Sequence, residues 1–463
     1  MLHALMIMDA TLVLDIGKTN AKLTLLDAQA QVLEERRRPN QVLRDGPYPH
    51  LDIEGLWAWM QPQIRELAKQ ADIRAIVPVT HGATAALVDE AGLVLPVLDY
   101  EHVLPEAAVQ AYGQQRPPFA RSHSPRLPAG LNLGAQLAWL ARDFPAEFAR
   151  SHHILSYPQY WAWRLSGVAA SEITSLGCHT DLWDLSAQDY SSLVDQQSWR
   201  ALFPPRRNAW DALGPLRPEL AQALGLSPQC QVLCGIHDSN ASLLRYLPRG
   251  QAGEALSVLS TGTWVIAASL AAAPATLHEA QDMLSNLDAL GRPVDCMRFM
   301  GGREFGALAG PEAPTPRVQD LAALVAGDSM ALPCFAETGG PFGGRQGRLI
   351  GPAPADAAQR AALATLYCAL VTDYCLDALG AQGAVVIEGA FARNELFARV
   401  LAALRPAQPV RVSDDESGTT AGGWLLHHWG QALPEHLHGA SPLELPGLQA
   451  YRARWRDRVA TPG

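Results

Sequence analysis

The stretch Thr11–Asp27 constrains the fold of this chain more than any other feature of its sequence. It reads TLVLDIGKTNAKLTLLD, two apolar runs around a polar turn, which predicts a strand, a tight turn and a second strand. Gly17 lets the backbone turn sharply and lets an anion approach the amide groups. Lys18 supplies a mobile positive charge, and the Asp15 carboxylate at a strand end needs a cationic partner. The turn fits either a site for phosphate and Mg2+ or an ordinary β-hairpin, and it lacks the P-loop pattern.

Length and composition narrow the class of protein. A chain of 463 residues predicts two domains, because one hydrophobic core seldom serves more than about 250–300 residues. The net charge of −10 argues against a general binder of nucleic acid or anionic membranes. No apolar run reaches the roughly 18 residues of a membrane span, and the N-terminus lacks a signal-peptide pattern, so we expect a cytoplasmic protein. The seven cysteines are scattered, which predicts reduced thiols and no zinc site.

The region after the hairpin predicts an α/β domain. Leu51–Lys69 carries apolar residues at helical spacing, with Asp52 as its cap, and Ile73–Val79 has the character of a buried strand. That strand ends at His81 and Gly82, where the glycine either makes room for a ligand or simply forms the turn. A hairpin, helix and strand in this order predict a ligand crevice at the carboxyl ends of the strands.

The pattern of the opening hairpin returns in the second half of the chain. An apolar strand at Ala255–Leu259 leads through the turn Ser260–Thr263 into a second strand at Trp264–Ala268. Gly262 occupies the place that Gly17 has in the first hairpin. One such repetition is compatible with duplication of a domain and also with two unrelated hairpins of an α/β protein.

A further polar segment follows a short apolar strand at Gln231–Leu233. This segment, Gly235–Ala241, is predicted to open a helix. Asp238 is therefore either a carboxylate that projects into a site or the N-cap of that helix. His237 is either a ligand contact or a core histidine.

Four motifs, in chain order, resemble those of the FGGY family of carbohydrate kinases, within the superfamily of sugar kinases, heat-shock proteins and actin. The motifs are DIGKTN at Asp15–Asn20, GIHD at Gly235–Asp238, STGTW at Ser260–Trp264 and EGAFARN at Glu388–Asn394. They are similar to the first phosphate motif, the segment of the catalytic aspartate, the second phosphate motif and the adenosine motif. The sequence of Leu131–Gly167 is also typical, and the branch of rhamnulokinases and L-fuculokinases is the most similar.

The resemblance implies an α/β fold of two actin-like (ribonuclease H-like) domains with an interdomain cleft. Residues 1–245 would form the N-terminal domain, which binds mainly the sugar and carries the catalytic residue. Residues 246–463 would form the C-terminal domain, which binds mainly ATP, and the final helix is free to pack back on the first domain. The implied partner is a small-molecule sugar, and neither nucleic acid nor a membrane is expected as a partner. A homodimer is possible.

The resemblance also implies the site residues. Asp238 would be the general base, and Asp15 and Asp238 would hold Mg2+. The residues that would bind ATP are Gly17, Lys18, Thr19, Asn20, Thr261, Gly262, Thr263, Gly389, Ala390 and Asn394. The residues that would bind the sugar are His81, Gly82, Glu172, His237, Asp238 and Ser239.

Three departures from the family pattern affect the substrate more than the reaction. Gln159 stands where many relatives carry aspartate, Ala390 and Phe391 interrupt a glycine-rich turn, and Arg298–Glu304 lacks the asparagine of rhamnulokinases. We predict phosphorylation at O1 of a 6-deoxy-ketohexose such as L-fuculose or L-rhamnulose. The alternatives are a pentulose kinase and a non-catalytic relative that binds sugar and ATP. An ATP-driven chaperone would need a long peptide-binding module and a sugar-sensing regulator a basic helix-turn-helix, and neither pattern is present.

Overall fold

The computed structural model describes residues 8–248, 253–336, 339–415 and 418–460. The first seven residues, on which part of the signal-peptide argument depends, lie outside this description. The described chain forms two compact units. The first contains the residues up to Tyr246, the segment Asn286–Pro293 and the segment that ends at Leu433, and the second contains the rest. The sequence predicted a single boundary after residue 245, and two later segments join the first unit.

The first unit is built on a seven-stranded sheet. Its strands are Asp9–Ile16, Asn20–Asp27, Val32–Pro39, Asp72–Thr80, Ala212–Pro215, Gln231–Leu233 and Ile236–His237. Shorter strands are Val42–Leu43, His50–Leu51, Ala85–Asp89, Gly92–Leu93, His153–Ser156, Trp183–Asp184 and Asp189–Tyr190. The α-helices are Ile53–Leu67, Glu106–Gly113, Phe119–Ser122, Leu133–Asp143, Pro145–Phe148, Tyr157–Ser166, Ile173–Leu176, Ser192–Gln196, Pro218–Leu224, Asp238–Leu243 and Gly418–His427.

The order of the strands brings several carboxyl ends to one edge of this sheet. Asp9–Ile16 pairs antiparallel with Asn20–Asp27 and parallel with Asp72–Thr80. The short strand Ile236–His237 lies on the other side of Asp72–Thr80, again parallel to it. Parallel neighbours end at the same edge, so the residues that follow these three strands share one side of the unit.

The helix Ile53–Leu67 confirms the predicted amphipathic pattern. The Asp52 side chain caps it by accepting a hydrogen bond from the amide of Gly55. Its buried residues are Ile53, Leu56, Trp57, Met60, Ile64 and Leu67, the stripe expected from the sequence. Pro62 lies inside the helix and does not end it.

The second unit has a sheet of the same design. Leu256–Thr261 pairs antiparallel with Val265–Leu270 and parallel with Ala384–Gly389. The other strands of this sheet are Met283–Leu287, Pro293–Phe299, Val410–Ser413 and Leu437–Gly439, and a small sheet contains Met330–Leu332 and Arg348–Ile350. The α-helices are Gly301–Ala309, Val318–Ala326, Ala357–Ala378, Glu395–Leu404 and Leu448–Ala460. The predicted two-domain α/β architecture is thereby confirmed.

Two helices of the C-terminal half belong to different units. The final helix, Leu448–Ala460, belongs to the second unit, where Tyr451 and Trp455 are part of the core. Gly418–His427 belongs to the first unit. Among the described residues, only Ala357–Ala378 has the length and composition of a membrane span, and most of it is buried, as expected of a core helix.

Two predictions of local structure were wrong. Pro145–His152 was predicted to be a helix, and only Pro145–Phe148 is helical. The proline-rich stretch Gly92–Arg126 was predicted to be irregular, and it contains the eight-residue helix Glu106–Gly113 after Pro105. Proline just before or at the start of a helix does not disturb it, because the first amides of a helix have no partner within the helix.

Candidate functional site

The first unit brings together Asp15, His81 and Asp238, which come from distant parts of the chain. Asp15 pairs with Val79 across the sheet, and the backbone amide of His81 donates to Ile16 O at 3.0 Å. His237 pairs with Thr80, so Asp238 begins its helix at the same edge. The two carboxylates interact electrostatically, and His81 also acts on Asp238.

Asp238 is the first residue of the helix Asp238–Leu243, and His237 occupies the cap position. One carboxylate oxygen, Oδ1, accepts a hydrogen bond from the amide of Ser239 at 2.6 Å and lies 3.3 Å from Ser239 Oγ. His237 Nε2 lies 3.3 Å from the same oxygen. The alternative that Asp238 is an N-cap is therefore not the observed arrangement, since a cap accepts from amides two or three residues on.

The surroundings of Asp238 favour the protonated form of its carboxyl group more than water would. The side chain is 27% exposed, and desolvation raises its pKa to about 6, with the negative charge of Asp15 acting in the same direction. His81 acts in the opposite direction. A carboxyl group with a pKa near 6 is ionised at neutral pH and still accepts a proton readily.

His237 is a neutral, oriented ring beside this carboxylate. Burial lowers its pKa to about 4, and its Nδ1 lies 3.2 Å from Asn240 Nδ2. When the Asn240 amide donates to Nδ1, the proton of the neutral ring is on Nε2, which then donates to Asp238. A Cβ atom on Gly82 would lie 2.7 Å from His237 Nε2, so the glycine provides the space for this ring.

Asp15 is held by two residues that the sequence reasoning missed. Its Oδ2 lies 2.7 Å from Lys22 Nζ and accepts a hydrogen bond from Thr419 Oγ1 at 2.6 Å. Lys22 lies on the second strand of the hairpin, where alternation of side chains was its only sequence signal. Thr419 lies 404 residues away from Asp15 in sequence, and no motif points to it.

Lys18 has acidic partners within its own unit. Its ammonium group forms an ion pair with Asp99, lies 3.5 Å from Glu101 Oε2 and stands 5.0 Å from the centre of the Tyr100 ring. These partners have no signal in the sequence, because they lie in a proline-rich stretch without periodicity. Thr19 and Asn20 are exposed at the tip of the same turn.

His81 and Glu172, two of the predicted sugar contacts, differ in their surroundings. The His81 ring contacts the rings of Tyr100 and Tyr157, with centroid distances of 5.4 and 5.0 Å, and desolvation lowers its pKa. Glu172 is fully buried, and burial raises its pKa to about 7. Its carboxylate accepts hydrogen bonds from Thr174 N at 2.9 Å, Thr174 Oγ1 at 2.6 Å and Ser175 N at 3.1 Å, so it caps a local turn.

In the second unit, the predicted phosphate and adenosine turns are neighbours. Thr261 pairs with Gly389 across parallel strands. The Thr261 hydroxyl donates to Glu388 O and accepts from Phe391 N at 2.9 Å, which fixes both turns. Gly389 has φ +81°, and a Cβ there would overlap Thr261 O, so only glycine suits this position.

The other predicted ATP-binding residues of the second unit differ in local structure and exposure. Gly262 forms a tight turn in which its backbone amide donates a hydrogen bond to Trp264 O at 2.8 Å. Thr263 and Ala390 are exposed beside the two turns. Asn394 caps the helix Glu395–Leu404 by accepting from Phe397 N at 3.1 Å. Gly302, in the Arg298–Glu304 segment, approaches Gly262 so closely that a Cβ would overlap Gly262 O. Its helix thus begins against the predicted phosphate turn, a neighbour that the sequence did not indicate.

Comparison with protein families agrees with this geometry. Residues 10–244 match the model described as "FGGY family of carbohydrate kinases, N-terminal domain". Residues 253–435 match the model described as "Carbohydrate kinase FGGY, C-terminal domain". The first match contains Asp15, His81 and Asp238, and the second contains Gly262 and Gly389.

Individual proteins are similar over different lengths. A solved structure of a carbohydrate kinase from Novosphingobium aromaticivorans is 40% identical, with a TM-score of 0.91 over 97% of this chain and 100% of that chain. An L-fuculokinase from Escherichia coli K12 is 27% identical over 274 residues, 56% of each chain. A xylulose kinase from Klebsiella pneumoniae is 26% identical over 260 residues, 54% of this chain and 52% of the relative. The chain therefore aligns with about half the length of these curated relatives.

Proposed function

Because the chain belongs to the FGGY family of carbohydrate kinases, we propose that it transfers the γ-phosphoryl group of ATP to a hydroxyl group of a ketose. The proposed acceptor is O1 of a 6-deoxy-ketohexose such as L-fuculose or L-rhamnulose. The similarity to an L-fuculokinase supports this choice over other sugars.

The observation that carries the proposal is the pair of carboxylates at the edge of the first sheet. Asp238 has a pKa of about 6 and interacts with Asp15, and its Oδ1 already lies beside Ser239 and His237. Oδ2 is therefore the oxygen that we assign to the substrate. A structural carboxylate would instead be expected to have a cation or a full set of donors on both oxygens.

In the proposed reaction, Asp238 orients the attacking hydroxyl group and accepts its proton as the bond from oxygen to phosphorus forms. A carboxylate is a weak base towards an alcohol, so orientation matters until that bond is under way. His237 donates to Oδ1 and holds the carboxylate plane in place. His81, Gly82 and Ser239 are the proposed sugar contacts, and we assign Glu172 to support of the Thr174 turn.

The donor residues are proposed from the hydrogen-bonding groups of the turns. Gly17, Lys18, Thr19 and Asn20 in the first unit and Thr261, Gly262 and Thr263 in the second would bind phosphate oxygens. Gly389, Ala390 and Asn394 would bind the adenosine portion, since a turn without side chains leaves room for a ring. Backbone amides in glycine turns are suitable donors to phosphate.

The two carboxylates also fit a magnesium ion. Mg2+ prefers oxygen ligands and usually binds one or two carboxylates, substrate phosphates and several waters. Asp15 and Asp238 are the residues that would hold it, in part through water, because Asp15 Oδ2 is already engaged by Lys22 and Thr419. The ion would neutralise phosphate charge as the phosphoryl group moves.

A pentulose is the second candidate acceptor, supported by the similarity to a xylulose kinase. A panel of L-fuculose, L-rhamnulose, xylulose and ribulose with ATP and Mg2+, read by ADP release, separates the two. We expect the highest kcat/KM with a 6-deoxy-ketohexose. A preference for a pentulose would favour the second candidate, and absence of turnover with all four ketoses would contradict both.

A further inference from the structure

The residue Gln159 is buried beneath the segment that carries Asp238. It lies on the helix Tyr157–Ser166 and is fully buried. Its Nε2 donates to Cys234 O and to Gly235 O, each at 3.1 Å. These two carbonyl groups come just before Ile236-His237-Asp238 in the chain.

The backbone needs such a partner because the chain contains one extra residue between the strands Gln231–Leu233 and Ile236–His237. Val232 pairs with Ile76 and Ile236 pairs with Val79, so four residue steps along this part of the chain face three on the strand Asp72–Thr80. The extra residue is a β-bulge, which leaves backbone groups without their sheet partners. It lies opposite Pro78, which has no amide proton to offer to a neighbouring strand.

The bulge has its polar groups satisfied from two sides. The amides of Cys234 and Gly235 donate to Asp211 O at 2.9 Å and to Ala209 O at 3.1 Å. The two carbonyl groups accept from the single amide of Gln159. Gly235 permits the bend, with φ +84° and with a Cβ that would lie 2.5 Å from Pro78 O.

We infer that Gln159 is a positioning residue, which fixes the bulge at Cys234–Gly235 and thereby aims the Asp238 carboxylate. This inference rests on the proposed role of Asp238. An ionised aspartate at position 159 would have no proton to donate to these two carbonyl oxygens, whereas the Gln159 amide group supplies both hydrogen bonds. The amide oxygen of Gln159, Oε1, has no hydrogen-bond partner among the described residues. The two hydrogen bonds from Nε2 are therefore the ones that this amide group contributes.

The variant Gln159→Met keeps the shape of the side chain and removes both hydrogen bonds. Since a displacement of about 1 Å can cost about 10²-fold in rate, we expect kcat to fall about 10²-fold, with KM for ATP and sugar within about threefold. Gln159→Asn keeps the amide group but shortens the side chain by one methylene. If the methionine variant does not fold, the same fall in kcat is expected of the asparagine variant.

The control is Leu165→Ala, a fully buried residue six positions along the same helix. We expect it to lose at least as much thermal stability as Gln159→Met and to retain kcat within about threefold. A Gln159 variant that loses no more kcat than this control would overturn the inference. In an Asp238→Asn background, Gln159→Met should cause no further loss, and an additive loss would likewise contradict a role through Asp238.

Hydrogen exchange separates this inference from the proposed function. In Gln159→Met, the peptide that spans residues 231–243 should exchange faster, while Leu165→Ala leaves that peptide at the rate of the parent protein. This measurement needs no substrate, so it tests the bulge even if no ketose is phosphorylated. Unchanged exchange in the Gln159 variant would show that the amide does not hold the bulge.

Discussion

The turns at Gly17 and Gly262 close the same kind of hairpin on equivalent strands of the two units, yet they carry different chemistry. In the first, Gly17 N bonds Asn20 O at 2.9 Å, and the surrounding charges include Asp15 and Lys22. In the second, Gly262 N bonds Trp264 O at 2.8 Å, and the surrounding side chains are hydroxyl groups. A shared topology therefore fixes where polar turns occur, while the residues at the strand ends decide what they do.

The two turns also differ in how their side chains are held. Asp15 and Lys18 have charged partners inside the first unit, which keep these costly groups satisfied. In the second unit, one hydroxyl group, that of Thr261, links two backbone turns. Loss of a charge in the first unit should therefore alter catalysis, and loss of the hydroxyl group in the second should alter the shape of a binding turn.

The largest expected effect comes from Asp238→Asn, which removes the proposed base from the edge of the first sheet. A positioned base contributes about 10²–10⁴-fold, so we expect kcat to fall by at least about 10²-fold while ATP and sugar still bind. Single-turnover phosphorylation and thermal unfolding of the variant provide the measurement. Near-normal turnover by a folded variant would show that Asp238 is not the base.

The same carboxylate predicts how activity depends on pH. Asp238 must be ionised to accept a proton, and its pKa is about 6, so kcat/KM should be constant near neutrality and fall as pH drops below about 6. The profile of initial rates from pH 5 to 8 tests this. An activity that stays constant down to pH 5 would contradict the assignment.

A smaller effect is expected from Lys18→Ala. Lys18 is partly neutralised by Asp99 and Glu101, so its loss should lower kcat/KM for ATP by about tenfold, which corresponds to about 1.4 kcal/mol, and should change the sugar KM less. Lys69→Ala, at an exposed helix end, is the matched control. A larger change in the sugar KM than in the ATP KM would place Lys18 on the acceptor side instead.

These residues also show what the sequence could and could not predict. The hairpins, the helix Ile53–Leu67 and the strand ends at Asp15 and Asp238 follow from local periodicity and glycine turns, so they were accessible. Thr419 and Asn240 were not, because their partners are set by packing between distant segments or by the orientation of a ring. Glu172 was predicted as a sugar contact through the family resemblance, and its complete burial, with 0% exposure, has no signal in the sequence.

Thr261→Val tests the neutral turn of the second unit. It removes the hydrogen bonds to Glu388 O and Phe391 N, so we expect the free energy of unfolding to fall by about 2 kcal/mol and the ATP KM to rise severalfold. Ser257→Ala removes a buried hydroxyl group from the same strand, away from the turn, and should leave the ATP KM unchanged. Equal effects of both variants on the ATP KM would argue against a specific role of Thr261.

The smallest effect on the rate is expected from the buried carboxylates, Glu172 in the first unit and Glu304 in the second. Burial raises the pKa of Glu172 from 4.5 to about 7 and raises that of Glu304 in the same direction. A group with a raised folded pKa contributes stability that is fully present below its unfolded pKa and is lost as pH rises through the folded value. The advantage of the parent protein over Glu172→Gln should thus decrease between about pH 4.5 and 7, by up to roughly 3 kcal/mol for a shift of this size. Denaturant unfolding of both proteins across this range measures the difference, with Glu304→Gln as the second-unit counterpart, and a difference that does not change with pH would show that Glu172 titrates normally.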